Sequence, residues 1–403
     1  MRKTPFIVVL FICIITAPAP LLSQENGDSS EVDPIVSSYL RNFARASLQT
    51  KIQILKDAKD VEGANMGPLY EKALDFVLDN QDLLATDPMI RQLSVLSTQL
   101  IGISQYAPAR YKIWDLFEID TGTTVRVAVL NSLGEIAEGD ERLIEQINAW
   151  LSRQNSLFQA NRQPDLQVIG ECVTTLGKIG SENSFPIVFT TMTLNYSEEV
   201  TNKAREALKT MEGDFQEMLI RVVEKNPASD KLAALRMALD SGDLSEDEKG
   251  LIAEKALEVG VTTNPASIEK ESMRELRYVA VNTLTARKWS KATPLVIKHF
   301  NEIVVEYDRG LVSKTNFLEA IACLGAMGTH EAAERLNLYL GLLNQYKENE
   351  RPVDEQVVLA VVRNLGILGD RIAADNLLYT QYLNFSSTVR KAAKEAFNNL
   401  KRS

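Results

Sequence analysis

Residues 125–140 read Val125-Arg126-Val127-Ala128-Val129-Leu130-Asn131-Ser132-Leu133-Gly134-Glu135-Ile136-Ala137-Glu138-Gly139-Asp140. Val125, Val129, Leu133 and Ile136 stand four, four and three residues apart, which is one face of an α-helix. Gly139 suits the left-handed conformation that closes a helix, and Asp140 suits the cap of the next, where its carboxylate accepts free amide protons. The phrase returns as Leu176-Gly177 with Ile179, Leu324-Gly325 with Met327, and Leu365-Gly366 with Leu368. The first two copies lie 43 residues apart and the last two 41. Weaker versions end at Leu208, Leu239, Leu284 and Phe397, giving a period of 31 to 45 residues. A period of that length is the mark of a repeat array.

Working outward, the position eight before each Leu holds Val125, Val168, Val200, Val357 or Val389, and the position four before it holds Val129, Cys172, Ala204, Ala280, Ala320, Val361 or Ala393. The small residues among these let a neighbouring helix approach closely. The turn repeats as Gly180-Ser181, Gly213-Asp214, Gly242-Asp243, Gly328-Thr329 and Gly369-Asp370. Between the signatures, 107–118, 140–152, 182–195, 214–225, 245–260, 291–307, 330–346 and 370–384 are each apolar on one side and predict second helices. Weaker helical patterns near 34–60, 66–80 and 88–103 extend the array. The reading is all-α, about nine helix pairs over 34–403, clearest over 87–403, with 386–403 as the capping helix.

Val125-Arg126, Leu276-Arg277 and Val389-Arg390, each followed by Val129, Ala280 or Ala393 and then Leu133, Leu284 or Phe397, resemble the second helix of HEAT repeats. The resemblance covers residues 88–403 and, more faintly, 34–87. It implies a right-handed α-solenoid whose second helices line a concave side. Ile169, Phe317 and Val358 stand where that family often has Arg, so no continuous Asp–Arg ladder is implied.

The stripe opposite the apolar one is polar and of mixed sign: Glu135, Glu171, Lys178 and Glu319, with Arg363 and Asn364 nearby. These are the candidate partner contacts. Longer turns are predicted within repeats at 153–163, 261–270, 308–313 and 347–352, all on one edge of a solenoid. The first carries Leu157 and Phe158, which either fold back on the array or form an apolar contact for a partner.

The chain has 403 residues, 45% hydrophobic and 24% charged, as in an ordinary folded protein. Acidic residues outnumber basic ones 54 to 44, for a net charge of −10, which argues against nucleic acid as a partner. Arg2 and Lys3 precede the apolar run 6–15, and the small, proline-broken stretch 16–23 follows. That is the pattern of a secretory signal peptide, here 1–23, and the run is too short to span a bilayer. No Cys follows a plausible cleavage site, so the expectation is export to a bacterial periplasm without a lipid anchor. Residues 24–33 are acidic and aperiodic and read as a tether. Asp33-Pro34 starts the first helix. Cys172 and Cys323 fall about four repeats apart, too far for a disulfide, and predict free thiols. The last helix carries Arg390, Lys391, Lys394, Lys401 and Arg402, which suit a polar solenoid cap. A contact with anionic lipid or an acidic partner is the second reading of those cations.

No zinc spacing, phosphate loop, calcium loop or nucleophile elbow is present in the sequence. His299 lies in an apolar helical stretch and reads as core, whereas His330 starts a helix. No catalytic, metal or cofactor residue is assigned. The expectation is an exported, non-catalytic scaffold or adaptor binding a protein partner through an extended surface. The alternatives are a ligand-binding protein or lyase-like enzyme hosted on a solenoid, or a peripheral factor of the envelope membrane.

Overall fold

A computed structural model describes residues 33–400. The expected signal peptide, the tether before Asp33 and residues 401–403 lie outside them. Twenty α-helices follow one another, with short 3-10 turns between some: α1 Pro34–Arg45, α2 Leu48–Ala58, α3 Gly67–Asp79, α4 Pro88–Ile103, α5 Arg110–Ile119, α6 Thr123–Ile136, α7 Glu141–Gln159, α8 Leu166–Ile179, α9 Phe185–Thr193, α10 Glu198–Thr210, α11 Phe215–Lys225, α12 Ala228–Asp240, α13 Glu246–Thr262, α14 Lys270–Arg287, α15 Thr293–Asp308, α16 Lys314–Met327, α17 His330–Glu348, α18 Glu355–Leu368, α19 Ala374–Tyr382 and α20 Ser387–Asn399. Among the described residues there is no strand. The stretch 34–60, read as one helical region, is two helices broken at Ala46 and Ser47.

Local chemistry sets the boundaries. Asp33 accepts from the Ile35 amide at 2.7 Å with Pro34 as the first helical residue. Asp140, Asp165, Asp214, Thr329 and Asp354 cap their helices in the same way. Ser245 and Glu248 form a reciprocal capping box. Gly180, Gly328 and Gly369 close α8, α16 and α18 in the left-handed region, at φ 75°, 69° and 64°. Gly242 does not follow them, because α12 ends one residue earlier, on an extended Ser241.

Helices pack first within consecutive pairs, from α1 with α2 to α19 with α20. The even-numbered helices also stack on one another, α4 on α6, α6 on α8, α8 on α10, and again from α12 through α20. The odd-numbered helices form a second, looser row. The even row thins between α10 and α12, where α9 touches α12 instead. There Thr190 and Thr193 donate to the buried Asp230 carboxylate at 2.6 and 2.7 Å. Every substantial helix contact joins elements no more than three helices apart. The core is one apolar seam between the two rows, from Val36 to Ala396.

The glycine of the repeated phrase marks where the next even helix crosses. A Cβ on Gly177 would meet Ala207 Cβ at 2.6 Å, and one on Gly366 would meet Ala396 Cβ at 2.9 Å. Residues 140–210 and 329–399 also match without a gap. Helices α7 to α10 are 19, 14, 9 and 13 residues long, and so are α17 to α20. Each element of the second set begins 189 residues after its counterpart. The two sets share a buried polar joint: Asn155 with Thr191 at 3.1 Å, and Asn344 with Thr380 at 3.0 Å.

This joint corrects the predicted turn at 153–163. Helix α7 continues to Gln159, and the connector is 160–165. The polar run around Asn155 reads as a turn, but the Asn155 amide faces inward and is held by Thr191 and Tyr196. In the same way α17 runs to Glu348, so the turn there is 349–354, as long as the predicted 347–352 but two residues further on. Cys172 and Cys323 are both buried free thiols.

Candidate partner-binding face

The even-numbered helices stack in two runs, α2 to α10 and α12 to α20, and expose side chains at the positions opposite their core stripe. Some charges on this face are tied from one helix to the next. Lys178 on α8 pairs with Glu135 on α6, and Arg236 on α12 pairs with Glu275 on α14. Glu319 on α16 accepts from Asn282 on α14 at 3.4 Å. At the connector edge, Thr123 donates to Asp165, and Lys314 pairs with Asp354 at 2.6 Å. These are exposed pairs worth little singly, but they fix a mixed-charge surface.

The candidate residues do not converge on one spot. Glu135, Glu171 and Lys178 sit together on α6 and α8, Glu319 is on α16, and Arg363 and Asn364 are on α18. Glu171 is half-buried beside Cys172 and has no hydrogen-bond or ion-pair partner among the described residues. Asn364 is a packing residue: it donates to the Ala360 carbonyl at 2.8 Å and its side chain lies over Gly325 of α16. Arg363 is exposed and unpaired among the described residues. Leu157 and Phe158 belong to the other row, at the end of α7. Phe158 stacks on Tyr196 with ring centroids 4.0 Å apart, so it folds back on the array, while Leu157 stays 44% exposed.

Two grooves on the even row escaped the sequence reading. One, of about 810 Å³, lies between α8 and α10 and is lined by Thr174, Gly177, Lys178, Lys203, Glu206 and Thr210, among others. The other, of about 620 Å³, lies between α18 and α20 and is lined by Arg363, Gly366, Ile367, Lys391, Glu395 and Asn399, among others. The glycine–alanine crossing forms the floor of each. Ile367 is 71% exposed and stands in its helix where Lys178 stands in α8. An apolar residue at that polar position was the available signal.

One buried ion-pair network lies between α14 and α15. Arg277 of α14, nearly without solvent contact, bonds Glu302 and Glu306 of α15, each at 2.6 Å. Burial holds the Glu302 carboxyl above its usual range despite Arg277. His299 is fully buried in the same region, and neither ring nitrogen has a hydrogen-bond partner. Burial, and then the Arg277 charge, pulls its pKa down to about 3. A neutral imidazole sealed from solvent has no substrate within reach. Among the described residues no group of three or more His, Cys, Asp or Glu side chains is placed to hold a metal ion, and no helix is long and apolar enough to cross a membrane.

No protein-family model matches the chain, and no curated protein is significantly similar to it.

Proposed function

We propose that the chain is an exported, non-catalytic scaffold or adaptor, built as a right-handed HEAT-like α-solenoid, that holds another protein along the face of its even-numbered helices. The observation that carries this reading is the contact pattern: every substantial helix contact among the described residues joins near neighbours in the sequence. Such an array extends instead of closing, and it offers surface in place of an enclosed pocket. The even row adds a mixed-charge face interrupted by two grooves. What supports export is the basic-then-apolar start at Arg2, Lys3 and 6–15, the pattern of a secretory signal peptide, and on this reading the partner is a periplasmic protein.

The test is crosslinking in the native envelope, followed by mass spectrometry of what is captured. Substituting Glu171, Glu319 and Arg363 together should weaken capture while leaving helicity intact. Capture unchanged by that triple variant contradicts binding through this face, and a cytosolic protein in fractionation contradicts export.

A further inference from the structure

The two grooves are the same site twice. Thr174, Gly177, Lys178, Asn202, Glu206 and Ala207 of the first correspond, 189 residues on, to Arg363, Gly366, Ile367, Lys391, Glu395 and Ala396 of the second. Shape is kept and charge is not. In the α8/α10 groove the cations are already neutralised: Lys178 pairs with Glu135, and Lys203 with Glu199 at 3.1 Å. In the α18/α20 groove Arg363 has no partner among the described residues. Lys391 meets only Glu395, at 3.9 Å with both side chains exposed. Arg390 and Lys394 stand beside them on α20, equally unpaired. Two cations against one carboxylate line this groove, and Arg363 is left unmatched, in a chain of net charge −10.

A polar cap at the end of the array accounts for Arg390 and Lys394 on the outer side of α20. It does not account for Arg363 on the preceding even helix, nor for Ile367 left 71% exposed between the cations. Arg363 and Ile367 are one helical turn apart, so an apolar contact lies directly beside an unpaired guanidinium. We infer that the α18/α20 groove binds an acidic peptide segment of the partner, with an apolar side chain over Ile367 and carboxylates on Arg363 and Lys391. This deepens the scaffold reading and rests on it. An anionic membrane suits the site less well: it is a groove, and α20 exposes no large apolar side chain to insert into lipid. Arg363 forms the planar two-bond contact that a carboxylate accepts.

The experiment uses the whole exported chain and a fluorescein-labelled synthetic peptide of alternating Glu and Leu, with the Gln–Leu peptide as the uncharged control. Fluorescence anisotropy at low salt should show binding of the first and not the second, weakening as salt rises. The R363E/K391E variant should bind about tenfold or more weakly, because both carboxylate contacts become repulsive. Ile367→Ser should weaken binding as well, and K203Q in the equivalent groove should leave it unchanged. Circular dichroism of each variant checks that the fold is retained. Equal binding by wild type and R363E/K391E overturns the inference, and so does loss of binding in K203Q alone. Flotation with phosphatidylglycerol vesicles that depends on Arg363 and Lys391, without peptide binding, overturns it in favour of the membrane. If the envelope crosslinks persist but the peptide does not bind, the groove fails and the scaffold reading stands. If the crosslinks fail as well, both fall.

Discussion

At the scale of single residues, the two histidines of the chain make opposite use of protons. His299 is sealed in the core with its pKa pulled down to about 3, against about 6.5 for an unfolded chain. Above pH 6.5 both states hold it neutral. As pH falls below 6.5, the unfolded state takes up a proton that the folded state refuses, and stability declines by about 1.4 kcal/mol per unit. His330 donates or accepts at Asp370 over 2.8 Å, and that hydrogen bond raises its pKa. Its contribution is full below 6.5 and is lost as pH rises through the raised value. The loss between pH 7 and pH 5 should therefore be larger in the wild type than in His299→Leu, by about 2 kcal/mol. Leu fits the apolar neighbours Val296, Phe300 and Ile303 and leaves no unpaired nitrogen. Denaturant melts at the two pH values measure this, and parallel pH dependence would contradict the burial of His299.

The thiols give a second test at this scale. Burial pushes the Cys172 thiol well above its usual range and that of Cys323 up to about 11. Reactivity needs an accessible thiolate, so neither should label with DTNB at neutral pH until the protein is denatured. Rapid labelling of either Cys in native protein, located by mass spectrometry, would contradict the packing of the even row. Both residues were readable in the sequence as core positions, because they occupy the small and apolar slots of the repeated pattern. His299 was readable as core for the same reason.

At the scale of the helix, the repeated Leu-Gly phrase separates two kinds of glycine. At Gly177 a methyl group would strike the Cβ and backbone of Ala207, which cannot yield without moving α10. At Gly134 it would meet only the Lys178 side chain, at 3.2 Å, and a lysine stem can move aside. Gly177→Ala should therefore cost about 1–3 kcal/mol through overpacking. Gly134→Ala should be neutral or gain up to about 1 kcal/mol from helix propensity. Thermal melts should place G177A below wild type and G134A at or above it. The reverse order would contradict the α8–α10 crossing.

Helix identity was legible because the apolar positions keep a helical period and the turns carry Gly followed by Asp, Ser or Thr. Boundaries failed where a polar residue points inward. Asn155 looks like turn sequence, yet its amide completes a buried joint with Thr191, so α7 runs on to Gln159. The pairing of helices followed from the repeat, but the grooves did not. A groove is set by how far apart two helices cross, and that depends on which residue faces each glycine across some thirty positions of chain. The polar stripe located Glu135, Lys178 and Arg363 on the even row but could not tell a charge tied to its neighbour from one left free.

At the scale of the molecule, the ungapped match of 140–210 with 329–399 means that one four-helix unit is used twice, with different charges on the same groove. Repetition supplies the framework and substitution supplies the difference, as a quasi-one-dimensional array allows. The account as a whole stands on helices whose substantial contacts all join near neighbours in the sequence. Small-angle X-ray scattering of the protein tests this directly. A compact globule of the described 368 residues has a radius of gyration of about 21 Å. The neighbour-only contact pattern predicts a clearly larger radius and an asymmetric distance distribution with a long tail, whereas a radius near about 21 Å with a symmetric, bell-shaped distribution would contradict it.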